Sequence, residues 1–192
     1  MIFLLKLLVG FNTILLKLGR QLATVAIGLM VIIILIQVFF RYGLNSALPW
    51  PDEAARFLML WMTGLIAPSA YRWGGFVSIE ILFRFLPSRM VKIITLFLLM
   101  ISLLVLVIGL QFGLKHVDSG WLFSSSSLKW PLQLIGMEAI KMKLAWMYMS
   151  LPVGFTLMTL VNIELIIKNF IWLWNPNFEF PEDPDQPKTE RN

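Results

Sequence analysis

Side chains able to do chemistry are few in this chain, and most of them stand alone. Its 192 residues include no cysteine, which removes disulfide scaffolds, thiolate metal sites and dithiol redox relays. The one histidine, His116, stands two residues before Asp118. Two potential ligands in a stretch that reads as an exposed loop do not make a metal or proton-transfer site. A haem held by two histidines cannot form within one copy. No glycine-rich phosphate loop follows a strand, and no nucleophile is paired with a base. The expectation is no catalytic, cofactor-binding or metal-ligating residue.

One constellation is dense: residues 41–61, RYGLNSALPWPDEAARFLMLW. Pro51 suits the first position of a helix, and Asp52 and Glu53 follow where the positive end of a helix dipole favours carboxylates. Glu53 and Arg56 are three apart, so they can pair on one helical face. Helix capping accounts for Pro51 and Asp52. It leaves unexplained an Arg56 one turn deeper, with Trp50 and Trp61 to either side. Charges and tryptophans together suit a protein contact at the membrane edge. Arg41, Trp50, Asp52, Glu53, Arg56 and Trp61 are therefore the candidate partner-interface residues.

The elements that position them are apolar. Hydrophobic residues make up 58% of the chain and charged ones 14%, with a mean hydropathy of +0.79. A soluble domain is nearer half apolar and about a quarter charged. Four apolar blocks, at residues 22–40, 54–70, 93–114 and 144–167, each approach the roughly 20 residues that cross a bilayer as a helix. None alternates as a strand would. The fold class is all-α: a membrane protein with four transmembrane helices plus short interfacial amphipathic helices. The formal charge of +5 is spread between the blocks, as flanking charge is, and does not indicate nucleic acid.

In residues 1–20, Lys6, Gly10, Thr13, Lys17 and Arg20 form one stripe on a helix otherwise filled by leucine, isoleucine, valine and phenylalanine. A helix lying in the interface and an extension of the first span fit this pattern equally well. Between spans two and three, Glu80 and Arg84 suit a short surface helix ended by Pro87. Residues 115–143, with Ser124, Ser125, Ser126 and Ser127 in a row and then Trp130 and Pro131, read as an irregular outer loop. Residues 171–192 read as a disordered tail, rich in proline and charge beyond Asn175. Residues 21–170 are then the membrane domain. Lysine and arginine fall ten to one side and six to the other, which favours both termini in the cytoplasm.

A transporter that binds its own ion usually places polar groups at mid-membrane, and the centres of spans one and three hold essentially none. Glu164, in the last turn of span four, reads as an interfacial charge. Pro68 and Pro152 read as packing kinks.

At Arg41, Tyr42, Trp50, Glu53, Arg56 and Trp61 the sequence resembles the small membrane subunit of tripartite ATP-independent periplasmic (TRAP) transporters, the DctQ-like family. Gly64, Ala67, Ala70, Arg72 and Gly74 continue the likeness, as does Leu151-Pro152-Val153-Gly154. Phe76 and Glu80 depart from it, where the family more often has histidine and aspartate. The resemblance covers roughly residues 20–170. It implies a multi-pass protein of the bacterial inner membrane, in contact with lipid, that serves a large multispan subunit carrying the substrate and sodium sites. It further implies a periplasmic substrate-binding protein that delivers an organic acid anion, such as a C4-dicarboxylate or sialic acid. Two other functions would suit a small multi-span chain. A membrane anchor of a redox enzyme is opposed by the missing cysteines and single histidine. A freestanding exporter or channel is opposed by the apolar span centres.

Overall fold

The structure is a computed structural model and describes residues 2–74, 87–129 and 140–175. The surface helix expected near residues 78–86, Trp130, Pro131 and the tail beyond residue 175 lie outside the described residues. Four long helices are present: α1 (Ile2–Val38), α2 (Pro51–Arg72), α3 (Ser88–Gly120) and α5 (Ser150–Trp174). The four-residue α4 (Ala145–Tyr148) leads into α5. The stretches that contain α1, α3 and α5 are long and apolar enough to cross a membrane. The 22 residues of α2 are also long enough, at about 33 Å, but Asp52, Glu53 and Arg56 in its first two turns lower its apolar content.

The helices form a row. α1 packs on α2, α2 on α5, and α5 on α3, with a lesser contact between α1 and α5. The inward positions of α1 explain its place: Leu5, Asn12, Leu16, Gly19, Ala23 and Ala26 are buried. They step by seven, four, three, four and three, which is a heptad seam. Small residues dominate its middle and let the backbones approach, as membrane helix interfaces require. The rest of α1 is exposed and apolar, and α3 likewise buries little of its surface. Residues 1–20 therefore do not form a separate element, since residues 2–38 are one helix.

The centre of the row is closer still. A Cβ on Gly64 would lie 2.5 Å from the Ser150 carbonyl oxygen, and one on Gly154 would lie 2.9 Å from the Gly64 oxygen. Only glycine allows α2 and α5 this separation. Helix α2 then ends at Gly74, whose φ of 80° is in the left-handed region that breaks a helix.

Two loops differ from expectation. A π-helical turn, Phe39–Gly43, follows α1. The stretch expected to be irregular between spans three and four holds a two-stranded antiparallel sheet, β1 (Ser124–Lys129) with β2 (Lys141–Lys143). The apolar signal of the third span stops at a charged residue, Lys115, but helical hydrogen bonding continues to Gly120. His116 thus sits on a helix rather than in a loop, with its ring 4.1 Å from that of Tyr148. The fourth helix likewise runs past residue 167 to Trp174.

Candidate functional site

The first candidate region gathers the end of α1, the start of α2 and the β1–β2 hairpin. Its organiser is Glu53. The hydroxyls of Ser125 and Ser126 both donate to its carboxylate, as do the backbone N–H groups of Ser127 at 3.1 Å and Leu128 at 3.3 Å. Ser125 also accepts from the Leu128 N–H at 2.8 Å. Glu53 precedes the apolar part of α2. The Ser125 and Ser126 hydroxyls hold its carboxyl well below the usual carboxylate range, outweighing the opposing effect of burial, and Ser127 adds to the lowering. Hydrogen bonds to the charged form have this effect. The serine run is therefore the counterpart of a helix-start carboxylate rather than a solvated spacer.

The other candidates are placed around it. Gln37 donates to Asp52 at 2.9 Å, which ties α1 to α2. The Trp61 indole N–H donates to the Trp146 carbonyl at 3.0 Å, which ties α2 to α4. Arg41 lies in the π turn with its guanidinium 5.8 Å from the Tyr42 ring centroid. Trp50 is exposed beside the start of α2. Arg56 does not pair with Glu53, because Glu53 is turned to the serines. Its side chain is exposed on the face of α2 that also carries Met59, Thr63 and Ile66. It makes no hydrogen bond or ion pair among the described residues. The structure therefore brings Asp52, Glu53 and Trp61 into internal contacts and leaves Arg41, Trp50 and Arg56 facing outward.

A second polar cluster lies at the other end of α2, and sequence reasoning missed it. Glu164 is fully buried and joins three helices. Arg72 donates to its Oε1 from Nε at 3.2 Å and from Nη2 at 3.0 Å. Asn12 donates to its Oε2 at 2.8 Å, and Lys168, one turn on, donates to Oε1. Arg72 also reaches the Thr13 hydroxyl at 2.9 Å. Nearby, Asn162 donates to the Tyr71 hydroxyl, and Arg20 donates to Ser69 at 3.2 Å. Far from being an interfacial charge, Glu164 is the acceptor that makes burial of Arg72 tolerable. Two of the five stripe residues on α1 serve this cluster: Thr13 and Arg20 turn to the bundle, whereas Lys6, Gly10 and Lys17 remain exposed. Arg72 in the resemblance motif was the one available signal.

No group of three or more histidine or acidic side chains converges among the described residues. Both regions lock helices together, and the first also leaves Arg41 and Arg56 facing outward. The sequence profile of the tripartite ATP-independent periplasmic transporters, DctQ component, matches residues 30–171. The chain belongs to this family. It is also similar to a Haemophilus influenzae protein assigned as a TRAP transporter small permease protein, at 31% identity over 94 residues. That match takes in 46% of this chain and 58% of the relative's length. The chain is thus a TRAP-type small subunit and a multi-pass membrane protein. Residues 41–61, singled out above by their charges and tryptophans, lie inside the family match.

Proposed function

We propose that this small subunit is the fixed membrane scaffold on which a large transport subunit is built, in sodium-coupled uptake of an organic acid anion delivered by a periplasmic binding protein. The observation that carries the reading is Arg56: a guanidinium in the second turn of a membrane helix, on the family motif, outward-facing and with no hydrogen bond or ion pair among the described residues. A charge so placed calls for a partner that supplies acceptors. Arg41 and Trp50 extend the same outward surface, and aromatic–arginine groupings are enriched where interfaces carry their energy. Glu53 contributes indirectly by holding the hairpin over the start of α2. The excess of lysine and arginine on the other side supports both termini in the cytoplasm and the hairpin in the periplasm, where a soluble partner would meet it.

The test is co-purification in mild detergent of the tagged chain with the large multispan protein encoded beside it. Near-equal recovery is expected, together with sodium-dependent anion uptake in proteoliposomes. Arg56→Ala should lower recovered partner at least fivefold while the subunit's own thermal stability stays unchanged, since Arg56 is exposed and makes no hydrogen bond or ion pair among the described residues. Full recovery and full uptake in that variant would remove Arg56 from the interface. Recovery of this chain alone, with solute flux of its own, would overturn the scaffold reading.

A further inference from the structure

The four cation–aromatic pairs among the described residues fall at the ends of the two flanking helices. On α1, Arg20 stacks over Trp73 at 5.0 Å and Arg41 lies 5.8 Å from Tyr42. On α3, Lys92 stacks over Trp172 at 4.0 Å and Lys115 lies 5.7 Å from Phe112. Such pairs suit the headgroup zone, where a ring's body is apolar and a cation meets phosphate and water. Along each helix the two cations are separated by about 31 Å on α1 and about 34 Å on α3, each close to the roughly 30 Å hydrocarbon thickness. Each flanking helix therefore carries its own measure of the bilayer.

The two measures are not level. Contacts through the central helices give the register. On α1, Gln37 meets Asp52 at the start of α2, so Arg41 lies one turn beyond that start. On α3, Gly113 meets Pro152, and Gly154 meets Gly64 in the middle of α2. Lys115 therefore stands near the height of residue 60, well inside α2. At the other end, Arg20 meets Ser69, whereas Lys92 meets Trp172, two turns beyond the Glu164 that meets Arg72. Both ends are displaced in the same direction, by about 15–20 Å at 1.5 Å per residue. The central helices fall between, with charge beginning again at Arg72 on α2 and at Glu164 and Lys168 on α5.

We propose that the bundle lies strongly tilted in the membrane, so that its lipid-facing belt runs diagonally across the row. Because α1 also touches α5, the row spans less than three full helix spacings of about 8–10 Å each. A displacement of about 15–20 Å across it corresponds to a tilt of roughly 35–40°. That is steeper than the common 20° or so and within the range membrane helices reach. The partner of this surface is the bilayer itself, and the inference stands independently of any transport partner. The tilt puts the first turns of α1 outside the hydrocarbon on one flank. It lifts the end of α3, the hairpin and α4 out of the opposite surface on the other.

The chain lacks native cysteine, so single labels can read this directly. Leu35 on α1 and Ser119 on α3 stand at nearly the same height in the bundle, as do Leu7 on α1 and Phe97 on α3, and all four are exposed. Each is replaced by cysteine in the full chain, spin-labelled, and placed in phosphatidylethanolamine–phosphatidylglycerol nanodiscs. Power saturation with oxygen and a water-soluble nickel chelate then gives depth. The expected result is labels at positions 35 and 97 in hydrocarbon and labels at positions 119 and 7 in water, with the members of each pair separated by about 10 Å or more. Equal depth within either pair means an upright bundle and overturns the proposal, as does a displacement in the opposite sense.

Discussion

Replacing Glu164 by glutamine keeps the shape of the side chain and removes its charge. In the native bundle this carboxylate takes two hydrogen bonds from Arg72 and one each from Asn12 and Lys168. After substitution Arg72 and Lys168 lose the carboxylate they share. Breaking a buried pair costs about 3–5 kcal/mol in soluble interiors, whereas polar contacts within membranes average about 0.6 kcal/mol. Two features favour the upper part of this range. Glu164 is fully buried, and Arg72 is about 9% exposed, so neither Arg72 nor the new amide can recover solvation by a small rotation. The glutamine oxygen still accepts one or two of the hydrogen bonds, which moderates the loss. The expected cost is about 2–3 kcal/mol, read as reversible unfolding in mixed micelles or by steric trapping in bicelles. A double-mutant cycle with Arg72→Met isolates the pair and should give a coupling of about 1 kcal/mol or more. Single-variant costs below about 0.5 kcal/mol with no coupling would refute the claim that this pair fixes α2 against α5.

Gly64→Ala puts a methyl group 2.5 Å from the Ser150 oxygen, so it should cost about 1–3 kcal/mol. Gly28→Ala, with nothing within 4 Å, should be neutral or slightly stabilising in the same unfolding assay. Glu53 has a folded-state pKa below its unfolded one. The hairpin anchor is therefore fully present above the ordinary carboxylate range and weakens as pH falls below it. Amide exchange at Ser127 and Leu128, compared at matched intrinsic rates, should show protection through neutral pH that declines only in acid. Glu53→Gln should raise exchange at both amides by about tenfold already at neutral pH, in line with the strength of a charged hydrogen bond. Unchanged exchange in that variant would mean that the hairpin holds itself.

The helices were legible because lipid demands long apolar stretches, and such stretches announce themselves in the sequence. Pro51 and Asp52 likewise marked the start of α2, since helix capping is local. The partners of the charges were not legible. Glu53 has Arg56 three residues away as an obvious match, yet it bonds to three serines and the Leu128 N–H, 72–75 residues later in the chain. Periodicity cannot weigh a distant row of hydroxyls and amides against a nearby guanidinium. Glu164 read as interfacial for the same reason, because its acceptor role depends on Arg72 and Asn12, which lie on other helices. The stripe on α1 was correctly periodic, but a period does not distinguish a face turned to headgroups from one turned half to a buried carboxylate. The hairpin escaped notice because its strands are polar and lack the alternation that signals a strand.

The span of the Glu164 contacts along the chain also bears on how the protein is made. Asn12 is 152 residues from the carboxylate it meets, and Arg72 is 92 residues from it. At about 5–20 residues per second, α1 and α2 wait on the order of ten seconds before α5 exists. During that interval the arginine destined for burial lacks the α5 carboxylate it meets in the finished bundle. The first two helices can associate through their small-residue seam, but the arginine must remain near water or be shielded by the insertion machinery until the last helix arrives. Closing of the bundle is then an event at the end of synthesis, and a chain cut short before α5 would leave Arg72 exposed to membrane quality control.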